Sequence, residues 1–300
     1  MSRTRVCLLV LLVALAAGCS RRSGGDRGGD SGPSDAGTPD AAAPDTSFDA
    51  GPRPDGGPAL EEVVIYAHSR DTLYSFSPYT LTVVEVGVFR NPDGSQAPFM
   101  LDLAVDSEGV VYTTSDASLY EVDPETADVT QIGEYDLGGD RLFALSFLAR
   151  DELRADYEAL VGAANSGAYY EVDRASVATT YLGQYPDGWS SSGDIVSVAG
   201  LGTFATVRRS DFPSDVLVQI LFASDGTSTV VVKGPIRGGG SDFTQLFGLG
   251  YWGRVLYAFS NDGQLIEVDR DTGAGSLVST ETGTTQFWGA GVTTRVPVLF

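Results

Sequence analysis

Leu119-Tyr120-Glu121-Val122-Asp123-Pro124 is the stretch that decides how this chain is read. Close relatives recur as Leu73-Tyr74-Ser75-Phe76-Ser77-Pro78, Tyr169-Tyr170-Glu171-Val172-Asp173-Arg174 and Leu265-Ile266-Glu267-Val268-Asp269-Arg270. Their first residues lie 46, 50 and 96 positions apart, and the last interval is two periods of 48. Midway through that long gap sits a degenerate copy, Leu217-Val218-Gln219-Ile220-Leu221-Phe222, followed by a turn at Ala223-Ser224-Asp225-Gly226. The chain is a modular array of strand-bearing units.

A period in this range with strand-like units reads as the blades of a β-propeller. The second blade is the clearest, with strands at 99–105, 109–114, 118–123 and 129–135. Turn residues separate them, and Pro124-Glu125-Thr126-Ala127 is echoed by Arg270-Asp271-Thr272-Gly273. No segment holds a helical period over three turns, and 150–157 reads as a loop or a single turn. Val63-Val64-Ile65-Tyr66 matches a second strand, so the first blade lacks its innermost strand. Phe287-Trp288-Gly289-Ala290-Gly291-Val292 resembles the blade-opening type seen at Leu246-Phe247-Gly248-Leu249-Gly250-Tyr251. The expectation is an all-β, five-bladed propeller of four-stranded antiparallel blades, closed by the C-terminal strand joining the N-terminal blade. Ala104, Ser146, Ser197, Gly250 and Gly291 align at one inner-strand position and are all small, as crowding at the axis of a small ring demands. A two-sheet sandwich predicts no such regularity.

The ends of the chain carry an address. Met1 to Arg5 is basic, and Val6 to Ala17 is an apolar run. Its twelve residues would span about 18 Å as a helix, short of a roughly 30 Å hydrocarbon core, so it reads as an export signal. Leu15-Ala16-Ala17-Gly18-Cys19 resembles a bacterial lipobox, although Ala16 stands where Leu is usual, three places before the cysteine. That resemblance implies a lipoprotein signal at 1–19, lipidation of Cys19, and anchoring by acyl chains at about 0.8 kcal/mol per buried methylene. Ser20, in place of Asp, points by the same resemblance to the outer membrane, facing the periplasm or the cell surface. Residues 20–59 are mostly Gly, Pro, Ser, Ala and Asp and read as a disordered tether with a mean reach of roughly 35 Å. Residues 60–300 form the propeller domain, which resembles bacterial β-propeller lipoproteins with short Tyr-Val-type blades, akin to surface-layer and NHL-like repeats. That motif specifies fold far better than activity.

Composition excludes several chemistries. The chain has 19 Lys+Arg against 40 Asp+Glu, a net charge of −21, which repels nucleic acid and anionic lipid. With Cys7 inside the signal and Cys19 at the lipid site, the domain has no disulfide, thiol nucleophile or thiolate metal site. His68 is the single histidine; it reads as a turn residue, and no Gly-x-Ser-x-Gly elbow is present to use it. Arg237-Gly238-Gly239-Gly240-Ser241 lacks a phosphate-loop ending and reads as a flexible connection. Three tryptophans are too few for the docking motifs of quinone-dependent propellers.

Carboxylates remain. Asp102 and Asp194 fall in or at the start of inner strands, with Asp140 and Asp242 just before two others, so a glycoside hydrolase using Asp102 with Asp194 is one reading. No inner strand carries the Glu such enzymes use. Calcium could be held by Asp123, Glu125 and Asp128 or by Asp269 and Asp271, though the same sequences make ordinary Asx turns; no cofactor is otherwise implied. The leading expectation is a non-catalytic monomer that binds a protein, glycan or small ligand on the face carrying the loops into the inner strands. Ligand-binding candidates there are Asp140, Arg141, Trp189, Asp242, Gln245, Arg208 and Phe212, the last either a contact residue or a loop anchor.

Overall fold

The computed structural model describes residues 58–299, apart from 224 and 226. The expectations at Cys19 and for the signal segment lie outside the described residues, as does nearly all of the tether. One 3-10 turn, Leu60–Glu62, is the helical element among the described residues, and everything else regular is strand.

The chain begins with Ile65–His68 (β1), Thr72–Ser77 (β2) and Thr82–Val88 (β3). A full blade follows in Asp102–Val105 (β4), Val111–Thr114 (β5), Ser118–Val122 (β6) and Val129–Glu134 (β7). The next consists of Leu142–Leu148 (β8), Ala159–Ala164 (β9), Ala168–Val172 (β10) and Thr179–Gln184 (β11). Ser190–Val198 (β12), Gly202–Arg208 (β13), Val216–Phe222 (β14) and Ser228–Pro235 (β15) make the fourth. A two-residue ribbon, Arg237–Gly238 (β16) with Ser241–Asp242 (β17), leads into the fifth: Leu246–Trp252 (β18), Val255–Ser260 (β19), Leu265–Asp269 (β20) and Gly275–Ser279 (β21). The Gly-rich stretch expected as a loose connection is therefore a tight antiparallel turn, pairing Arg237 with Asp242.

Gly289–Gly291 (β22) completes the first blade, giving the order β22-β1-β2-β3 beside four blades of four antiparallel strands. Its partners are Tyr66, Ala67 and His68, with Tyr66 opposite Gly291. The ring closes as the repeat arithmetic requires: the tail supplies the inner strand that the head lacks. Around the axis β4, β8, β12, β18 and β22 contact one another in a circle.

Burial falls from axis to rim, and the sequence follows it. Inner strand β4 is buried at every position, whereas outer strand β3 has none fully buried. Between blades the sheets pack face to face. Phe287 is fully buried and anchors the closing strand, its ring 5.1 Å from Phe259 and 5.9 Å from Tyr74. Burying such a side chain contributes about 1.5–3 kcal/mol. Crowding at the axis also explains the small residues. A Cβ on Gly250 would sit 2.7 Å from Ile65 Cδ1, and one on Gly291 would sit 2.9 Å from the Leu103 carbonyl oxygen. In blade four the strand pairing places Val196 there rather than the expected Ser197.

His68 corrects the sequence reading. It is not an exposed turn residue but the last residue of β1, fully buried. Its Nδ1 lies 2.6 Å from the Ser69 carbonyl, and burial lowers its pKa to about 4, so it is neutral at physiological pH. The turn reading failed because β1 runs two residues further than Val63-Val64-Ile65-Tyr66 indicated.

Candidate functional site: the axial cup

Asp102 and Asp194 do converge, on the axis. Both are fully buried, and their carboxyls hydrogen-bond to each other. Asp102 Oδ1 accepts from its neighbour Leu103 N at 2.8 Å, and Oδ2 from Leu145 N of β8 at 2.6 Å. Asp194 Oδ1 accepts from Ile195 N at 2.6 Å and Oδ2 from Leu249 N of β18 at 2.5 Å, with Ala290 N of β22 a further donor. One carboxyl pair thus ties together inner strands from all five blades. Burial first, and for Asp102 the neighbouring Asp194 charge second, push both carboxyls well above the usual range. The hydrogen bond between the two carboxyls itself requires a proton on one of them. Two acids lacking any solvent access cannot meet a glycosidic bond in this structure, whatever their separation.

Above this plug the inner strands open into a cup of about 200 Å³. Leu101, Phe143, Phe247 and Trp288 give it an apolar wall, drawn from four blades. Its polar residues are Asn165, Ser191, Ser192, Arg208 and Asn261. Arg208 donates from Nη2 to Asn165 Oδ1 at 3.2 Å. The hydroxyl of Ser191, a residue 3% exposed, has no partner, and neither does Asn261 Oδ1. Asp215 lies behind Arg208; burial raises its carboxyl, which accepts from Ser192 Oγ at 2.5 Å and Leu246 N at 2.8 Å.

The expected binding residues divide. Arg208 lines the cup, and Gln245 sits at its rim, where its carbonyl accepts from Asn261 N at 2.9 Å and its Oε1 from Asn261 Nδ2 at 3.2 Å. Gln245 adopts a left-handed φ of 54°, strain that these contacts hold in place. Arg208, Phe212 and Gln245 also share a neighbouring surface cavity of about 490 Å³. Trp189 is buried rather than presented: Arg209 Cζ lies 4.1 Å over its ring and the Phe212 ring centroid is 5.4 Å away. Phe212 is accordingly the anchor of its loop. Asp140 and Arg141 lie apart from the cup; Asp140 accepts from Ser166 Oγ at 2.5 Å and Arg141 pairs with Asp116 at 3.4 Å, all exposed. Asp242 is exposed in the ribbon.

Leu101, Phe143, Phe247 and Trp288 were missed, yet a signal existed. Each stands three residues before an aligned small residue (Ala104, Ser146, Gly250 and Gly291). In the fourth blade strand pairing puts Val196, not Ser197, at the aligned place, and Gly193 three residues before it lines the cup. The larger cavity of about 590 Å³ beside blade three is self-satisfied, since Arg154 pairs with Glu171 at 2.5 Å and Tyr157 OH donates to the same carboxylate at 2.9 Å. At the proposed calcium turns Asp123 Oδ1 accepts from Glu125 N at 2.8 Å and Asp269 Oδ1 from Thr272 N at 2.8 Å, which is Asx-turn geometry. Among the described residues no group of three His, Cys, Asp or Glu is placed to hold a metal ion.

The fold and site define a five-bladed propeller with a lined cup at one mouth of its axis. No family model and no curated sequence matches the chain. Among solved structures it is similar to the dihydro-heme d1 dehydrogenase NirN in complex with DHE, at 19% identity over 71% of this chain and 43% of that one, TM-score 0.35. A protein of unknown function from Bacteroides caccae is similar at 10% identity over 77% and 98%, TM-score 0.41. A virginiamycin B lyase from Staphylococcus aureus is similar at 10% over 65% and 58%, TM-score 0.37. The chain spans less than half of the first of these, and likenesses this distant bear on neither ligand nor activity.

Proposed function

We propose that this protein is an exported, lipid-tethered binding propeller that holds a ligand at the axial cup without transforming it. The observation that carries the reading is the contrast in access between cup and acids. Four apolar side chains and two unsatisfied polar atoms, Ser191 Oγ and Asn261 Oδ1, converge at an open mouth, while Asp102 and Asp194 are sealed beneath it. Loops on a rigid ring position such a surface at little conformational cost. The Cys19 lipobox and the tether supply the anchoring half of the proposal.

Two measurements test it. Arrays of glycans and small molecules probed with the full-length chain should show binding that Phe143→Ala and Phe247→Ala abolish, with no hydrolysis of the same sugars. Hydrolysis that Asp102→Asn removes from a still-folded protein would instead establish the carboxylate enzyme. Labelled palmitate should enter the wild-type chain and not Cys19→Ser; label in both variants would end the lipoprotein reading.

A further inference from the structure

We propose that the cup selects a small ring-bearing carboxylate, its ring against Phe143, Phe247 and Trp288 and its carboxylate on Arg208. This rests on the binding-propeller reading and adds the ligand's charge and size.

Charge is the first argument. In a chain of net charge −21, no carboxylate lines the cup among the described residues; its charged member is Arg208. The Arg208 guanidinium is held by a neutral amide, Asn165 Oδ1, and makes no ion pair within 4.0 Å among the described residues. Asp215, close enough for its carboxyl to feel the Arg208 charge, is turned inward onto Ser192 Oγ and Leu246 N. A second cation stands beside the cup. Arg70 Cζ lies 3.5 Å over the Phe99 ring and 5.6 Å from that of Trp288, also without an ion pair. Arginine's planar fork matches a carboxylate with two parallel hydrogen bonds, and Arg208 is exposed at the cup where such a ligand can reach it.

Unsatisfied polarity is the second. A buried hydroxyl with no partner, as at Ser191, carries a desolvation penalty that a ligand oxygen would relieve. Size is the third. At about 200 Å³ the cup is below the roughly 300–1,000 Å³ of drug-sized sites, leaving room for one ring and its substituents. The shared chemistry, a ring with a carboxylate, can come from an acidic sugar or an aromatic acid.

Four probes separate these sources and test the charge: galacturonate against galactose, and phenylacetate against 2-phenylethanol. Each is titrated into the full-length chain by calorimetry and, in parallel, by tryptophan fluorescence, where Trp288→Phe identifies the change that belongs to the cup. The acid of at least one pair should bind at least tenfold more tightly than its neutral partner. Arg208→Met should erase that preference, and Arg208→Lys should restore part of it with an unchanged denaturation midpoint. Equal binding within both pairs, or binding of the neutral members alone, overturns the proposal and leaves the binding propeller standing. Silence from all four probes also overturns it; an array ligand that still required Phe143 would then preserve the broader reading.

Discussion

The plug and the cup are built from the same five inner strands, only residues apart, yet they treat hydrogen bonds in opposite ways. In the plug, every carboxyl oxygen of Asp102 and Asp194 accepts from backbone N–H groups of its own or another blade, or from the partner acid. In the cup, Ser191 Oγ and Asn261 Oδ1 accept and donate nothing, and Arg208 meets only an amide. The first arrangement is what a buried polar group needs to be stable. The second is what a surface looks like when its partner comes from outside. The difference separates structural carboxylates from recognition residues more firmly than residue type could.

The largest test of this contrast is Asp102→Ala. It strands Leu103 N and Leu145 N and leaves Asp194 without its partner, so unfolding free energy should fall by about 2–5 kcal/mol in chemical denaturation. Asp102→Asn keeps an acceptor and a donor and should lose far less; an equal loss in both would show that shape, not hydrogen bonding, holds the axis. Gly289→Ala comes next, since its Cβ would press on Asp102 Oδ1 and His68 Nε2, at a cost of about 1–3 kcal/mol. A variant as stable as wild type would mean that the axis can loosen.

The pH response follows with a smaller effect. Raised carboxyls in Asp102, Asp194 and Asp215 mean that the folded chain holds protons the unfolded chain releases. That stability is complete below the unfolded carboxylate pKa of about 4 and is lost as pH climbs through the raised folded values. His68, lowered to about 4, acts oppositely, its contribution disappearing as pH falls from about 6.5 towards 4. Above neutrality the acids act without His68, and above about pH 10 the buried tyrosines Tyr135, Tyr169, Tyr185 and Tyr257, which burial also raises, add to the loss. The denaturant midpoint should therefore decline on the alkaline side, and less steeply in Asp102→Asn; the same slope in both would exclude the axial pair as its source. The smallest effect belongs to the cup. Phe247→Ala, at a half-buried wall position, should change stability by about 1 kcal/mol or less while removing ligand binding.

Some of this was legible before any coordinates. Leu119-Tyr120-Glu121-Val122-Asp123-Pro124 and its copies specify strands because alternation and turn residues act over neighbouring positions, and the 46–50-residue period sets their number. The tail strand at Gly289–Gly291 was legible through the missing inner strand at the head, since an open ring leaves unpaired edges. His68 was misplaced because a buried β1 end and an exposed turn share the same local residues. Trp189 looked like a contact residue and turned out to lie beneath Arg209 and Phe212, a relation across twenty or more residues that no local pattern carries.

What the amino-acid sequence determined by itself is the periodic part: strand type, blade count and closure, all consequences of short-range alternation repeated at a constant interval. What only the tertiary structure decided is which side of the protein's surface each inner-strand residue falls on. Spacing from Ser197 would put Asp194 level with Phe143 and Trp288, but strand pairing puts Val196 at the small-residue place. Asp194 is therefore level with Asp102 and sealed in the axis, while its neighbour Gly193 lines the cup. Burial depends on how five strands from distant parts of the chain converge, and that convergence is a property of the closed ring rather than of any one repeat.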